Sequence, residues 1–218
     1  MSLVETGARG RKAHGPHALM VPSLHRGLRS YSFDDRPRSR RQPITQPRER
    51  WSSKSRHRVG STPVASGGLA YYSTAKSLIA VNALSGRRRW KAAIPGGWNV
   101  STPLVAGGRV HVGTFRGSLV ALDARTGKRL WETKTGPAVM HVLPYHRGSG
   151  SISSSPALSG PLLYVGADDG RLLAVDAKTG SIRWSHSFGV PVSSSPAVTG
   201  NAVFVAAMDG NLYAFAGR

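Results

Sequence analysis

The chain has 218 residues, with 30 lysines and arginines against 10 aspartates and glutamates, and no cysteine. This length fits one domain, or one domain with a tail. The lack of cysteine excludes disulfide bonds, thiolate zinc sites, iron–sulfur ligation and a cysteine nucleophile. No segment approaches the roughly 18 consecutive apolar residues that a membrane-spanning helix needs, so no transmembrane segment is predicted.

Positive charge is densest at the start of the chain. Residues 1–60 hold 14 basic and 4 acidic residues, a net charge of +10, and residues 61–218 hold 16 and 6, again +10. Residues 1–47 are rich in Arg, Ser and Pro and show no strand or helix period, which predicts a disordered basic tail. We expect weak electrostatic binding of nucleic acid by this tail and no specific nucleic-acid partner, since the tail offers no interleaved aromatic platform on which bases could stack.

The first 25 residues contain no continuous apolar segment, so the sequence predicts no secretory signal. A cytoplasmic location is then the default expectation. If the true start of the protein lies elsewhere, an extracytoplasmic location is the alternative.

After the tail, the sequence repeats itself. Ser-Thr-Pro or Ser-Ser-Pro begins at Ser61, Ser101, Ser154 and Ser194, at intervals of 40, 53 and 40 residues. Each triplet precedes two short alternating apolar stretches separated by turn residues, and a third turn leads to a further strand. A repeat of about 40 residues with four strands is typical of a β-propeller blade. We therefore predict an all-β propeller over 48–218, and we interpret the serine repeats as inner-strand elements and not as nucleophiles.

A turn motif recurs between the last two strands of the repeats. Its full form, Asp-Ala-x-Thr-Gly followed by Trp, occurs twice, and a softened form with Asn occurs once. The Asp side chain is expected to accept backbone N–H groups, the Gly to adopt a positive φ, and the Trp to fill the seam between blades. The motif residues are Asp123, Thr126, Gly127 and Trp131, then Asp176, Thr179, Gly180 and Trp184, and then Asn82, Gly86 and Trp90.

These motifs resemble the repeats of the pyrroloquinoline-quinone-like (PQQ-like) β-propeller family, in which the arrangement is called tryptophan docking. The resemblance covers about 48–218 and implies a propeller of four-stranded antiparallel blades. The family includes quinoprotein dehydrogenases, scaffold lipoproteins and sensor domains, so the resemblance predicts the fold more strongly than the function.

Two architectures remain open for the predicted blades, which lie at about 61–95, 101–136, 151–190 and 191–218. The last unit stops before its Thr-Gly turn and Trp. Residues 48–57, which contain Trp51, could supply the missing outer strand and close a four-bladed ring. Alternatively, the chain is a fragment of a ring of seven or eight blades, as the resemblance implies for related propellers, and self-assembly is expected if the ring is open.

The sequence offers few residues of the kind that an enzyme of this family would need. A quinoprotein dehydrogenase of the resembled family needs PQQ with calcium and a catalytic carboxylate, and calcium prefers several carboxylate ligands. Five of the six acids after residue 60 lie in predicted turns, so we expect no catalytic, cofactor-binding or metal-binding residues and no cofactor. PQQ with calcium is the alternative. His111 aligns with Tyr71, Tyr164 and Phe204 and is expected to fill an aromatic packing position.

One insertion of about 13 residues distinguishes the units and lies within 136–150. Long loops on a rigid scaffold often carry binding, so this loop is the best candidate for contact with a protein partner. The candidate contact residues are Val139, Met140, His141, Leu143, Tyr145 and His146.

The sequence thus favours a non-catalytic propeller that acts as a binding or scaffold module through its loop faces. The alternatives are a truncated or degenerate PQQ-dependent oxidoreductase, and a sensor-type propeller domain of a larger membrane-linked protein.

Overall fold

The computed structural model describes residues 45–97, 99–139 and 150–217, all of which belong to the unit Tyr31–Arg218. These ranges contain 15 strands and no helix, which confirms the all-β class. In chain order the strands are β1 (Val64–Ser66), β2 (Leu69–Ser73), β3 (Ser77–Asn82), β4 (Arg88–Ala93), β5 (Leu104–Ala106), β6 (Arg109–Gly113), β7 (Ser118–Asp123), β8 (Arg129–Lys134), β9 (Ala157–Ser159), β10 (Leu162–Gly166), β11 (Arg171–Asp176), β12 (Ile182–Ser187), β13 (Ala197–Thr199), β14 (Ala202–Ala206) and β15 (Leu212–Ala216).

The strands form four antiparallel meanders in which each strand pairs with its sequence neighbours. The first sheet is β1-β2-β3-β4, the second β5-β6-β7-β8, the third β9-β10-β11-β12, and the fourth β13-β14-β15. In the first three sheets an alanine of the third strand lies opposite a tryptophan of the fourth, in the pairs Ala80–Trp90, Ala121–Trp131 and Ala174–Trp184. A register shift follows each pair. The three sheets therefore repeat the same pairing register between their third and fourth strands.

The third strand of each complete sheet is buried on both faces. Leu78, Leu119 and Leu172 occupy equivalent positions on β3, β7 and β11, and all three are 0% exposed. Strands buried on both faces need continuous apolar sequence, and these strands have it over most of their length. Burial of each leucine contributes about 1.5–3 kcal/mol relative to exposure.

The apolar core lies between neighbouring sheets. One cluster joins the first and second sheets and includes Leu78 and Val110. A second joins Leu119 to Leu163 on the third sheet, and a third joins Leu172 to the fourth. The second and third sheets thus bury their faces against both neighbouring sheets, and the first and fourth sheets against one, which is how the blades of a propeller pack.

The repeated serines hold the inner strands to their neighbours. Ser61, Ser101, Ser154 and Ser194 each accept a hydrogen bond through Oγ from the backbone N–H 12 residues later, at 2.9–3.0 Å. Ser61, Ser101 and Ser154 are buried. These hydroxyls therefore satisfy backbone donors at the last residue of the second strand of each sheet, which explains their recurrence.

The fourth sheet bears on the alternative in which residues 48–57 close a four-bladed ring. Within the described residues this sheet contains three strands, and 48–57 neither forms a strand nor pairs with β15. Trp51 instead packs on the first sheet, because Gly86 leaves room for its indole there. The structure therefore does not show the predicted closure of a four-bladed ring by this segment.

The predicted basic tail, 1–47, lies outside the described residues except for 45–47. In the part of the chain that the structure describes, no helix could cross a membrane.

Candidate binding surface

Three tryptophans bridge successive repeats in the same way. The indole Nε1 of Trp90 donates to the carbonyl oxygen of Ala124, at 2.9 Å. Trp131 donates to Ala177 and Trp51 to Ala83, both at 3.2 Å. Each acceptor lies in the turn after the third strand of the next sheet. Each partly buried indole N–H therefore finds an acceptor while its ring covers the seam between sheets.

The glycine of each turn motif lies directly beneath the preceding tryptophan. A Cβ on Gly127 would lie 2.7 Å from two ring carbons of Trp90, and Gly180 and Gly86 stand in the same relation to Trp131 and Trp51. Gly127 has a φ of +75°. The motif thus needs glycine both for its backbone conformation and for the approach of the ring.

The acidic residues of the motif organise the turns. Asp123 Oδ1 accepts the backbone N–H and the hydroxyl of Thr126, both at 2.7 Å, and these bonds lower the pKa of Asp123. The Arg183 guanidinium and the bonds from Thr179 lower the pKa of Asp176 to about 2. Asn82 Oδ1 makes the equivalent bond to Ser85 N–H, at 2.9 Å. These side chains are engaged by their own turns.

Trp184 has a different environment from the other motif tryptophans. Trp184 is 39% exposed, and its ring contacts the ring of Phe215 edge-on at a centroid distance of 5.2 Å. His186 and Phe188 extend this aromatic group along the third and fourth sheets. The structure places Trp184 against β15 and not over a Thr-Gly turn.

His111 occupies the position that Tyr71 has in the first sheet. Tyr71 donates its hydroxyl to Ala124 O, and His111 Nε2 lies 3.2 Å from Ala177 O. The two rings lie 5.9 and 5.6 Å from Trp90 and Trp131, respectively. Because a carbonyl only accepts, Nε2 carries the proton. Burial lowers the pKa of His111 to about 4.

The 136–150 loop begins and ends against one turn of the third sheet. Gly136 N–H donates to Asp169 Oδ2 at 2.8 Å, and Val139 N–H donates to Asp168 O at 3.1 Å. At the far end, Ser151 donates its hydroxyl to Asp168, whose own N–H donates to Ser151 O at 2.9 Å. The turn therefore clamps both ends of the loop.

Two further side chains hold this turn. Ser193 Oγ donates to Asp168 Oδ1 at 2.9 Å, and the Arg171 guanidinium binds Asp169 with Nε at 2.9 Å. The Asp169 side chain is only 3% exposed. Val139, the one predicted contact residue that the structure describes, is 49% exposed, whereas Met140, His141, Leu143, Tyr145 and His146 lie outside the described residues.

Removing the buried carboxylate tests the importance of this clamp. We expect Asp169→Ala to lower the free energy of unfolding by about 2 kcal/mol, because the Gly136 N–H loses its acceptor and Arg171 loses its partner. Asp209→Ala is the matched control, since Asp209 occupies the equivalent turn of the fourth sheet but is exposed. Urea denaturation of both variants should show the larger loss for Asp169→Ala, and equal losses would contradict the assigned role.

Each of the six acidic side chains after residue 60 is engaged in a hydrogen bond or an ion pair. Asp209 accepts from Tyr213 and Asn211, and Glu132 accepts from Ser118 while it pairs with Arg129. The other four are engaged as described above. Among residues 45–97, 99–139 and 150–217, no group of three or more His, Asp or Glu side chains could hold a metal ion.

A basic cleft of about 410 Å³ lies between the segment after Trp51 and the first sheet. Its charged lining consists of Lys54, Arg56, Arg88 and Lys91, with Tyr72 on one wall. The cleft has no local sequence signal, because its lining joins Lys54 and Arg56 to Arg88 and Lys91, which lie more than 30 residues further along the chain. A surface of this charge attracts acidic groups.

Comparison with solved structures supports the propeller fold. BamB from Moraxella catarrhalis matches with a TM-score of 0.63 and 24% identity, over 77% of this chain and 49% of BamB. The chain thus spans about half the length of that protein. The computationally designed protein Ika4 matches with a TM-score of 0.62 and 17% identity, over 78% of this chain and 99% of Ika4.

An enzyme is also among the similar structures. Quinohemoprotein alcohol dehydrogenase from Comamonas testosteroni matches with a TM-score of 0.50 and 26% identity, over 60% of this chain and 21% of the enzyme. Similar propellers thus include both BamB and a dehydrogenase. No curated protein sequence matches the chain significantly.

A family model gives the assignment by sequence. The model described as outer membrane protein assembly factor BamB matches residues 44–153 and 116–218, which together include the complete repeat region. The matched region contains the three docked tryptophans and their glycines. The chain therefore belongs to the BamB family of PQQ-like repeat propellers.

Proposed function

We propose that the chain is a non-catalytic binding module that engages a protein partner through its loop faces, with the 136–150 loop as the main contact. The observation that carries this proposal is the clamp of Asp168 and Asp169, which fixes both ends of the one long insertion. A loop held in this way presents its residues from a rigid scaffold. Val139 is apolar and 49% exposed beside the clamp, as a contact residue would be.

The chemistry of the partner follows from charge and from the family. Residues 61–218 carry a net charge of +10, which favours an acidic partner surface and salt-dependent association. The family description as an assembly factor supports a protein partner. The engaged carboxylates support a role without PQQ, calcium or redox chemistry.

Site-specific photo-crosslinking tests the contact surface. A photoreactive residue at position 139 of the full chain, in cells that make the protein naturally, should give a discrete adduct with another protein. Position 130 is the matched control, because Leu130 is 43% exposed on β8 and lies outside the loop. The absence of an adduct at 139, or the same adducts from both positions, would contradict the proposal.

Cofactor titration tests the non-catalytic part separately. We expect PQQ and calcium to give no saturable change in cofactor absorbance and no dye reduction with alcohol substrates. Saturable binding with turnover would establish the enzymatic alternative.

A further inference from the structure

The strand β15 has the sequence of an interior strand but the exposure of an edge strand. Its Leu212 is equivalent to Leu78, Leu119 and Leu172, which are all 0% exposed, yet Leu212 is 73% exposed. The three buried leucines pack against the sheet that follows their own. Leu212 is therefore the residue type that, at the equivalent position of the other sheets, packs on the following sheet.

The segment 48–57 has the features of an outer strand, which is the kind of strand that β15 lacks as a neighbour. Its Trp51 docks on Gly86 and Ala83 as the tryptophans of β4 and β8 dock on the sheets that follow them. Partly buried and exposed residues alternate from 51 to 58, which is the period of a β-strand. Ser53 Oγ lies 3.4 Å from Tyr72 Oη, so its side chain faces the first sheet. The segment thus has the position of an outer strand but, among the described residues, belongs to no sheet.

We infer that β15 of one copy of this chain pairs with the segment 48–57 of a second copy. Within one chain the two elements are not paired. In a pair of copies, β15 of each copy pairs with the segment 48–57 of the other. Leu212 of one copy then packs on the first sheet of the other. Such a head-to-tail contact forms twice, once at each junction, when two copies close into a ring. This inference does not depend on the partner proposed above.

The three complete sheets predict the register of this contact. Because an alanine of each third strand faces the tryptophan of the fourth, Ala214 should lie opposite Trp51. Leu212 should then lie opposite Ser53, as Leu172 lies opposite His186. Directly opposed antiparallel residues have Cβ atoms about 4.5–5.5 Å apart, so cysteines at 53 and 212 can be joined.

Light scattering coupled to size-exclusion chromatography tests the assembly of the full chain. Because each copy is strongly basic, the measurement is made at about 0.15 M salt, where charges are screened beyond about 8 Å. The expected mass is twice the 23.2 kDa of one chain. A monomer at all concentrations would contradict the inference.

Disulfide formation tests the contact itself, and the absence of native cysteine makes it specific. Co-expressed Ser53→Cys and Leu212→Cys chains should give a disulfide-linked dimer on mild oxidation. The matched control pairs Leu212→Cys with Leu84→Cys, since Leu84 is 75% exposed but lies in a turn of the first sheet. Equal yields from both mixtures would overturn the inference.

Two further variants separate the alternatives. In the double variant Ser53→Cys/Leu212→Cys, linkage within single chains at the expense of dimers would show that the segment closes its own ring, against the inference. Leu212→Lys should shift the population from dimer to monomer, because it places a charge at the contact near Lys54, while the exposed control Leu84→Lys should leave the dimer unchanged.

Discussion

Gly127→Ala is expected to lower the free energy of unfolding by about 3 kcal/mol. The new Cβ would lie 2.7 Å from two carbons of the Trp90 ring, closer than van der Waals contact permits. Displacing a packed ring in this way costs about 1–3 kcal/mol. The φ of +75° adds about 1–2 kcal/mol for a residue with a side chain. Urea denaturation followed by tryptophan fluorescence measures both effects together.

Gly108→Ala separates the two contributions. Gly108 has a φ of +71°, close to that of Gly127, but a Cβ there would meet nothing within 4 Å. We therefore expect a loss of about 1–2 kcal/mol from backbone strain alone. If the two variants lose the same stability, contact between the turn and the indole is not what requires glycine at position 127.

The repeat made most of the fold predictable from sequence. Each turn motif consists of an acceptor for its own backbone, a glycine and a following tryptophan. These residues lie close together along the chain and recur in each repeat, so they leave a pattern in the sequence. The Ala–Trp register follows from the same pattern. The spacing of 40 residues between Ser61 and Ser101 then predicts separate four-stranded sheets.

The ends of the repeat region were less predictable. Trp51 matches the motif tryptophans in spacing, and sequence alone could not separate its docking on Gly86 from the pairing of its backbone with β15. Docking of the indole requires only a glycine and a carbonyl acceptor on the first sheet. Strand pairing requires that the backbone of the segment lies beside the unpaired edge of β15. The structure has the first of these contacts within one chain and not the second.

The clamp on the 136–150 loop also escaped the sequence analysis. Asp168 and Asp169 belong to a tight turn, in which Asp169 Oδ1 accepts the Arg171 N–H at 3.2 Å. Their contact with Gly136 spans 33 residues and depends on how two sheets pack. A local pattern contains no signal for such a contact. The role of Asp169 as a long-range anchor is therefore visible only in the structure.

Lowering the pH below about 6.5 is expected to destabilise the protein through His111. This residue is 1% exposed, and burial lowers its pKa in the folded state to about 4, from an ordinary value of 6.5. The unfolded chain therefore takes up a proton between these values and the folded chain does not. Stability from this group is complete above pH 6.5 and falls as the pH decreases toward 4. The total loss is about 3 kcal/mol, measured by urea denaturation at successive pH values.

His111→Tyr identifies this group as the cause. A tyrosine at position 111 reproduces the chemistry of Tyr71, whose hydroxyl donates to the equivalent carbonyl of Ala124. It can therefore keep the bond to Ala177 O and has no proton to gain between pH 6.5 and 4. We expect the variant to lose about 3 kcal/mol less than the original protein over this range. If the two proteins lose stability in parallel, the acid sensitivity resides in other groups and His111 is not buried as a neutral ring.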